Sequence, residues 1–248
     1  NVEAQTWQAT KRLTWNLGWS ESPAIATDSS GNIHVVWYDS TPGNPEIYYK
    51  KSTDGGATWS TKRLTWNSGY SEWPAIAIDS SGNIHVVWQD DTPGNFEIYY
   101  KKSTDGGASW STKRLTYNSD YSLTPVIAID SSNNIHVVWY DSTPGNYEIY
   151  YKKSTDGGTS WSTKRLTWNS GYSYRPTIAI DSSNNIHIVW YDSTPGNFEI
   201  YYKKSTDGGA TWSTKRLTWN SGYSEWPVIA IDSSNNIHIV WYDSTPGN

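Results

Sequence analysis

Trp37, Trp88, Trp139, Trp190 and Trp241 recur at an unbroken interval of 51 residues, and nearly every residue around them recurs with them. A period of this size marks an array of small supersecondary units, none of which can bury its apolar face alone. One period holds four short runs rich in β-branched and aromatic residues and no helical pattern. In the first period, residues 23–28 read as strand A, 32–39 as strand B, 46–53 as strand C and 58–66 as strand D. The A–B turn carries Gly31 and Gly82 in two periods but Asn133, Asn184 and Asn235 in three. Gly and Asn share a tolerance of positive φ, so a left-handed turn residue is expected there. Pro42-Gly43 suits positions i+1 and i+2 of a type II turn between B and C. Strand D, rich in Thr, Lys and Arg, has the make-up of an exposed edge. A and B are the most apolar and are expected to be buried on both faces.

Residues 52–59 read Ser-Thr-Asp-Gly-Gly-Ala-Thr-Trp, and the pattern S-x-D-x-G-x-[TS]-W returns at 103–110, 154–161 and 205–212. Asp54, Asp105, Asp156 and Asp207 are placed to accept hydrogen bonds from their own turns, and the glycines supply backbone angles that other residues resist. Trp59, Trp110, Trp161 and Trp212 are expected to drop into the core. The pattern resembles the Asp-box, the repeat of the sialidase (BNR) superfamily, which sits between the third and fourth strands of a β-propeller blade. The resemblance implies one all-β domain over residues 1–248, a five-bladed propeller of four-stranded antiparallel blades. Its blades would be 23–66, 74–117, 125–168 and 176–219, with a fifth combining 227–248 and the D-like segment 6–15. That fifth blade has no strand C. The gap would be filled by the N-terminal strand, by residues beyond 248 or by a second copy, giving a homodimer by strand exchange.

Composition removes several function classes. The net charge is −5 with no basic run, so the electrostatic footprint of a nucleic-acid binder is missing. No apolar stretch approaches the roughly 18 residues that span a bilayer, so no membrane partner is expected. Cysteine is absent, which excludes disulfides and thiolate metal sites. Asn1 is preceded by no initiator Met, which fits a processed secreted chain, a trimmed chain or a fragment; localisation stays open, with an extracellular leaning.

In a propeller the D–A and B–C loops share one face, here residues 66–73 and 39–45 with their repeats. The repeats diverge on that face, at Glu21-Ser22, Glu72-Trp73, Leu123-Thr124, Tyr174-Arg175 and Glu225-Trp226, and at Gln89, which replaces Tyr38 and Tyr140. Enzymes of the superfamily hold a substrate carboxylate with three arginines, attack with a tyrosine activated by a glutamate, and use an aspartate as acid/base. Here Arg12, Arg63, Arg114, Arg165 and Arg216 fall in strand D, and Arg175 alone lies in a binding-face loop, so the triad does not carry over. Glu72 with Asp90, or Glu225 with Asp243, offers a glycosidase-type pair. Near-identical repeats give near-identical environments, however, and a catalytic pair needs its two pKa values pushed apart. No enzyme is expected.

His34, His85, His136, His187 and His238 stand one per blade, too far apart to share an ion, and read as core histidines bonded to a neighbouring blade. Asp28, Asp79, Asp130, Asp181 and Asp232 read as turn caps in preference to a cation ring. No metal or cofactor is expected. What remains is Trp66, Asn67, Tyr70, Glu72, Trp73 and Asp90, repeated as Trp219, Asn220, Tyr223, Glu225, Trp226 and Asp243. Aromatic rings stack on the C–H faces of sugars while carboxylates and amides meet hydroxyls. Several weak sites on one disc would gain by avidity. The reading is a multivalent, lectin-like glycan binder. The alternative is a structural or assembly repeat protein, amplified or engineered, with no selected ligand.

Overall fold

The Ile-His-Val-Val-Trp-Tyr-Asp run forms the second strand of each unit, and in complete units it is the most deeply buried element. The computed structural model describes residues 9–245. The first unit comprises β1 (Ser20–Thr27), β2 (Ile33–Asp39), β3 (Glu46–Ser52) and β4 (Ser60–Arg63). The second comprises β5 (Ser71–Ile78), β6 (Ile84–Asp90), β7 (Glu97–Ser103) and β8 (Ser111–Arg114). The third comprises β9 (Ser122–Ile129), β10 (Ile135–Asp141), β11 (Glu148–Ser154) and β12 (Ser162–Arg165). The fourth comprises β13 (Ser173–Ile180), β14 (Ile186–Asp192), β15 (Glu199–Ser205) and β16 (Ser213–Arg216). A fifth unit has two strands, β17 (Ser224–Ile231) and β18 (Ile237–Asp243). Each unit is an antiparallel meander, four of four strands and the last of two, and together they are the blades of a β-propeller.

The strand limits differ from the sequence reading for local reasons. The first strand of each blade begins three residues early, because a bulge lets pairing resume before the proline. Glu21 faces Tyr38, pairing breaks, and Ala24 then faces Val36. The fourth strand keeps only the middle of its expected range. Leu64 N still donates to Ile47 O at 2.7 Å, but Ile47 N is taken by the Thr65 hydroxyl at 2.8 Å, so a side chain replaces the next rung. First strands alternate between buried and half-buried residues instead of being buried on both faces, whereas β6 is buried throughout.

The turns carry the expected left-handed residues, with φ of 77° at Gly31 and 61–65° at Asn133, Asn184 and Asn235. Asn adds something Gly cannot. Asn133 Oδ1 accepts from Ser80 N of the preceding blade at 3.0 Å, and Asn184 does the same for Ser131. The B–C turn is placed differently from expectation. Gly43 N donates to Ser40 O at 3.0 Å, so Pro42 and Gly43 occupy i+2 and i+3, with Ser40 as the first residue.

The core lies between blades. Val36, Ile47, Tyr49 and Leu64 of the first blade pack with Ile76, Ile84, Val86 and Trp88 of the second, and the pattern repeats twice. Each such Ile or Val contributes about 1.5–3 kcal/mol by leaving water. Within a blade, Trp139 stacks on its cross-strand partner Tyr150, centroids 5.7 Å apart, the kind of pair that stabilises a sheet.

His34, His85, His136 and His187 are core residues, whereas His238 is exposed on the two-stranded blade, and the partners of the buried four are in their own blade. His85 Nδ1 meets Tyr100 Oη at 2.7 Å and Nε2 meets Asp79 at 3.2 Å. Burial pushes the His85 pKa down, against the pull of Asp79. The first-strand aspartates are the turn caps foreseen: Asp79 Oδ1 accepts from the Ser81 and Asn83 amides at 2.9 Å.

Residues 9–15 contain no strand, and residues 6–8 of the expected N-terminal strand lie outside the described residues. Lys11 reaches the Gly56 and Ala57 carbonyls, as Lys62 reaches Ala108 of the next blade. The segment thus lies against the first blade as a fourth strand lies against its successor. Among the described residues no hydrogen bond joins it to β17 or β18. Val240 is 66% exposed, whereas its counterpart Val189 is fully buried, and Ile25 on β1 is 68% exposed against 9% for Ile76.

Candidate functional site

The meander puts the D–A and B–C loops at one end of every blade and the Asp-box turns at the other. Each Asp-box is a closed structural unit. Asp54 takes the Thr58 hydroxyl at 2.5 Å, the Thr58 amide at 2.9 Å and the Ser52 hydroxyl at 2.8 Å. Those bonds, the Thr58 hydroxyl first, hold its pKa down to about 2. Trp59, Trp110, Trp161 and Trp212 do not enter the core fully; they are half-buried between blades.

The loop end is wired by two buried carboxylates in each complete blade. Asp90 is fully buried; it accepts from Ser71 Oγ at 2.8 Å, Trp88 Nε1 at 3.1 Å, Thr92 N at 3.0 Å and Asn67 Nδ2. Asp243 repeats the set with Ser224, Trp241, Thr245 and Asn220. Four of the expected ligand residues, Asn67, Asp90, Asn220 and Asp243, are therefore engaged with the fold's own groups, Asp90 fully buried and Asp243 half-buried. The second carboxylate is Glu46, fully buried, which accepts from Arg63 Nη2 and from Asn67 N, both at 2.8 Å.

That ion pair builds a surface. Arg63, held by Glu46, lies 5.7 Å from the ring of Trp66, which is 67% exposed. Arg114 backs Tyr117 at 4.5 Å, Arg165 backs Trp168 at 5.6 Å and Arg216 backs Trp219 at 5.5 Å. A guanidinium over an aromatic face is attractive, and a guanidinium already fixed by a buried carboxylate holds the ring with little entropy left to lose. Beside Trp66 runs a groove of about 240 Å³ between blades, bounded by Trp88, Tyr99 and Lys101. Tyr70 and Tyr223 stand half exposed on the same end.

The remaining expected residues meet near the propeller axis. Arg175 Cζ lies 4.9 Å from the Trp73 ring and 3.7 Å from the Trp226 ring. These residues come from the fourth and fifth blades, which pack side by side, and from the second, whose strands neighbour neither. Ser22, Trp73, Thr124, Arg175 and Trp226 all have φ between 46° and 58°. Each precedes a proline, which disfavours that conformation further, and such strain concentrates at functional positions. Glu72, next to Trp73, accepts from Gln89 Nε2 at 3.4 Å. Burial pushes its pKa up, helped by the carboxylates of Asp91 and Glu21.

One pair escaped the sequence reading. Tyr38 donates to Glu21, and burial with this carboxylate pushes the tyrosine up to about 12. The two are cross-strand partners, as are Glu72 and Gln89; the exchange of Tyr38 for Gln89 was the visible signal. The Glu46–Arg63 support was missed because it is invariant among the repeats. Among the described residues no group of three or more His, Cys, Asp or Glu side chains converges as a metal site. Among the described residues no helix is long and apolar enough to cross a membrane.

Residues 2–173 match the family model described as "BNR repeat-like domain". A xyloglucanase of Acetivibrio thermocellus is 26% identical over 84% of this chain, which spans 27% of that protein. A fucose-specific lectin of Aleuria aurantia is 25% identical over 73% of this chain, which spans 60% of it. Among solved structures, the GH93 alpha-L-arabinofuranosidase of Fusarium graminearum superposes with a TM-score of 0.70 at 16% identity, over 89% of this chain and 74% of that one.

Proposed function

The chain belongs to the BNR repeat-like domain family, and on that premise we propose that it is a multivalent glycan-binding propeller. The observation that carries this reading is the rim: one exposed aromatic ring per complete blade, stacked on a guanidinium that a buried glutamate immobilises. A rigid ring beside a groove with polar walls suits the apolar face of a sugar, and repetition on one disc converts weak sites into useful avidity. The likeness to a fucose-specific lectin supports a carbohydrate ligand. The test is a glycan array followed by the double variant Trp66→Ala/Trp168→Ala. Surface avidity should fall at least roughly tenfold while the fold, followed by circular dichroism, persists. Retention of no glycan, or avidity unchanged in the double variant, would replace this reading with that of an assembly scaffold.

A hydrolytic reading has one specific observation in its favour. Tyr38 hydrogen-bonded to Glu21, with the raised-pKa Glu72 nearby, has the elements of a nucleophile, its base and an acid. Against it, the four arginines of the fourth strands are tied to buried glutamates. Turnover of a fluorogenic sialoside or arabinofuranoside, lost in Tyr38→Phe, would establish it. No turnover by the unaltered chain rejects it.

A further inference from the structure

The rim platforms repeat from blade to blade, but a second set of aromatic residues does not. On the loop end of the third to fifth blades, Tyr147 lies 5.1 Å from Tyr174, Tyr174 lies 6.0 Å from Phe198, and Phe198 lies 5.9 Å from Tyr223. Tyr172 joins the run at 5.7 Å from Tyr174. The earlier blades offer less. Pro45 of the first blade stands where Phe96, Tyr147 and Phe198 stand in later ones, and Glu21, Glu72 and Leu123 of the first three blades stand where Tyr174 does. There a single ring pair of the run, Phe96 and Tyr121 at 6.4 Å, is left among the described residues. Gln89, in place of a tyrosine, turns its Oε1 to the Thr124 amide at 2.9 Å. Beside Tyr174 in sequence is Arg175, flanked by Trp73 and Trp226 at the axis.

We infer that this tract is a second binding site, for a linear, uncharged oligosaccharide laid across several rings and ending at Arg175. The inference rests on the glycan-binding reading and names a ligand class for a different part of the same face. Its ring centroids follow one another at 5.1–6.0 Å, tilted or edge-on to each other with Tyr174 at the hub. That spacing is comparable to the length of a pyranose unit, so a chain laid along the ring edges meets another aromatic partner with each sugar added. An isolated rim ring offers no such gain. Arg175 makes no ion pair among the described residues, in contrast to Arg63, Arg114, Arg165 and Arg216. With two indole rings against the guanidinium, its N–H groups are the polar feature, suited to hydroxyl and ring oxygens. Glu72 and Glu225 adjoin the flanking tryptophans in sequence, so an acidic sugar would meet carboxylates of its own sign.

The experiment is calorimetric titration with ladders of cello-, xylo- and arabino-oligosaccharides, from disaccharide to hexasaccharide. In at least one ladder, affinity should rise by roughly tenfold or more with length. Tyr223→Ala, at a half-exposed position, and Arg175→Leu should each flatten that rise, whereas Trp66→Ala/Trp168→Ala should leave it intact. The rim reading fails separately, when array avidity ignores the double variant while the length dependence persists. Affinity independent of length in all three ladders, binding to none of them, or a rise unaffected by both tract variants would overturn the inference.

Discussion

The ring of Tyr49 meets the indole of Trp110 edge-on, centroids 5.3 Å apart and planes at 72°, so the third strand of one blade is clamped by the Asp-box of the next. The contact repeats between Tyr100 and Trp161 and between Tyr151 and Trp212. Beneath it the Asp-box glycine presses on the same tyrosine. A Cβ on Gly107 would stand 2.8 Å from Tyr49 Cε1.

Gly56 provides the matched comparison. Its φ of 92° is close to the 97° of Gly107, but its Cβ would meet nothing nearer than Trp59 at 3.8 Å. Gly56→Ala should therefore cost only backbone strain, about 1–3 kcal/mol. Gly107→Ala adds overpacking of a further 1–3 kcal/mol or so. In differential scanning calorimetry Gly107→Ala should melt lower than Gly56→Ala by roughly 2–10 °C. Equal melting temperatures would show that the tyrosine contact does not matter.

Acid should weaken the fold in two stages. Burial holds the pKa of His34, His85, His136 and His187 below the ordinary 6.5. Their contribution is complete above that value and declines as pH falls through the lowered pKa, because the unfolded chain takes up protons first. Asp79 and Asp130 are also lowered: burial opposes this, and hydrogen bonds from Asn83 or Asn134 and from histidine outweigh it. Their share persists until pH falls below the ordinary 3.8. Melting temperature should decline between pH 7 and 5 and again below pH 4, and His136→Asn should shrink the first decline. A flat profile from pH 7 to 5 would contradict the assignment.

The exposed face of β18 should accept a further strand. Val240 and Trp241 are 66% and 41% exposed, while Val189 and Trp190 are buried behind β15. Appending Glu-Ile-Tyr-Tyr-Lys-Lys-Ser-Thr-Asp-Gly-Gly after Asn248 should raise the melting temperature by at least about 4 °C over a scrambled extension. It should also reduce any self-association seen by analytical ultracentrifugation, since an open edge templates pairing. A gain no larger than that of the scrambled sequence would mean the edge is already satisfied.

The sequence by itself determined the architecture, because a 51-residue period, alternating apolar runs and turn residues with a single conformational meaning all act locally. Gly31 and Asn133 announce a left-handed turn whichever blade surrounds them, and Asp54 caps its own hairpin with bonds to neighbours in the chain. Tertiary structure alone decided which polar residues are free. Asn67 and Asp90 look like ligand groups in one dimension, yet they bond to each other across 23 residues and disappear into the fold. Arg63 reads as edge-strand decoration, yet Glu46 draws it under Trp66. The meeting of Trp73, Arg175 and Trp226 is the extreme case, since it joins three blades separated by whole periods. Hydrogen bonds within a turn depend on a few adjacent dihedral angles, whereas contacts at the axis depend on the summed geometry of every blade between them.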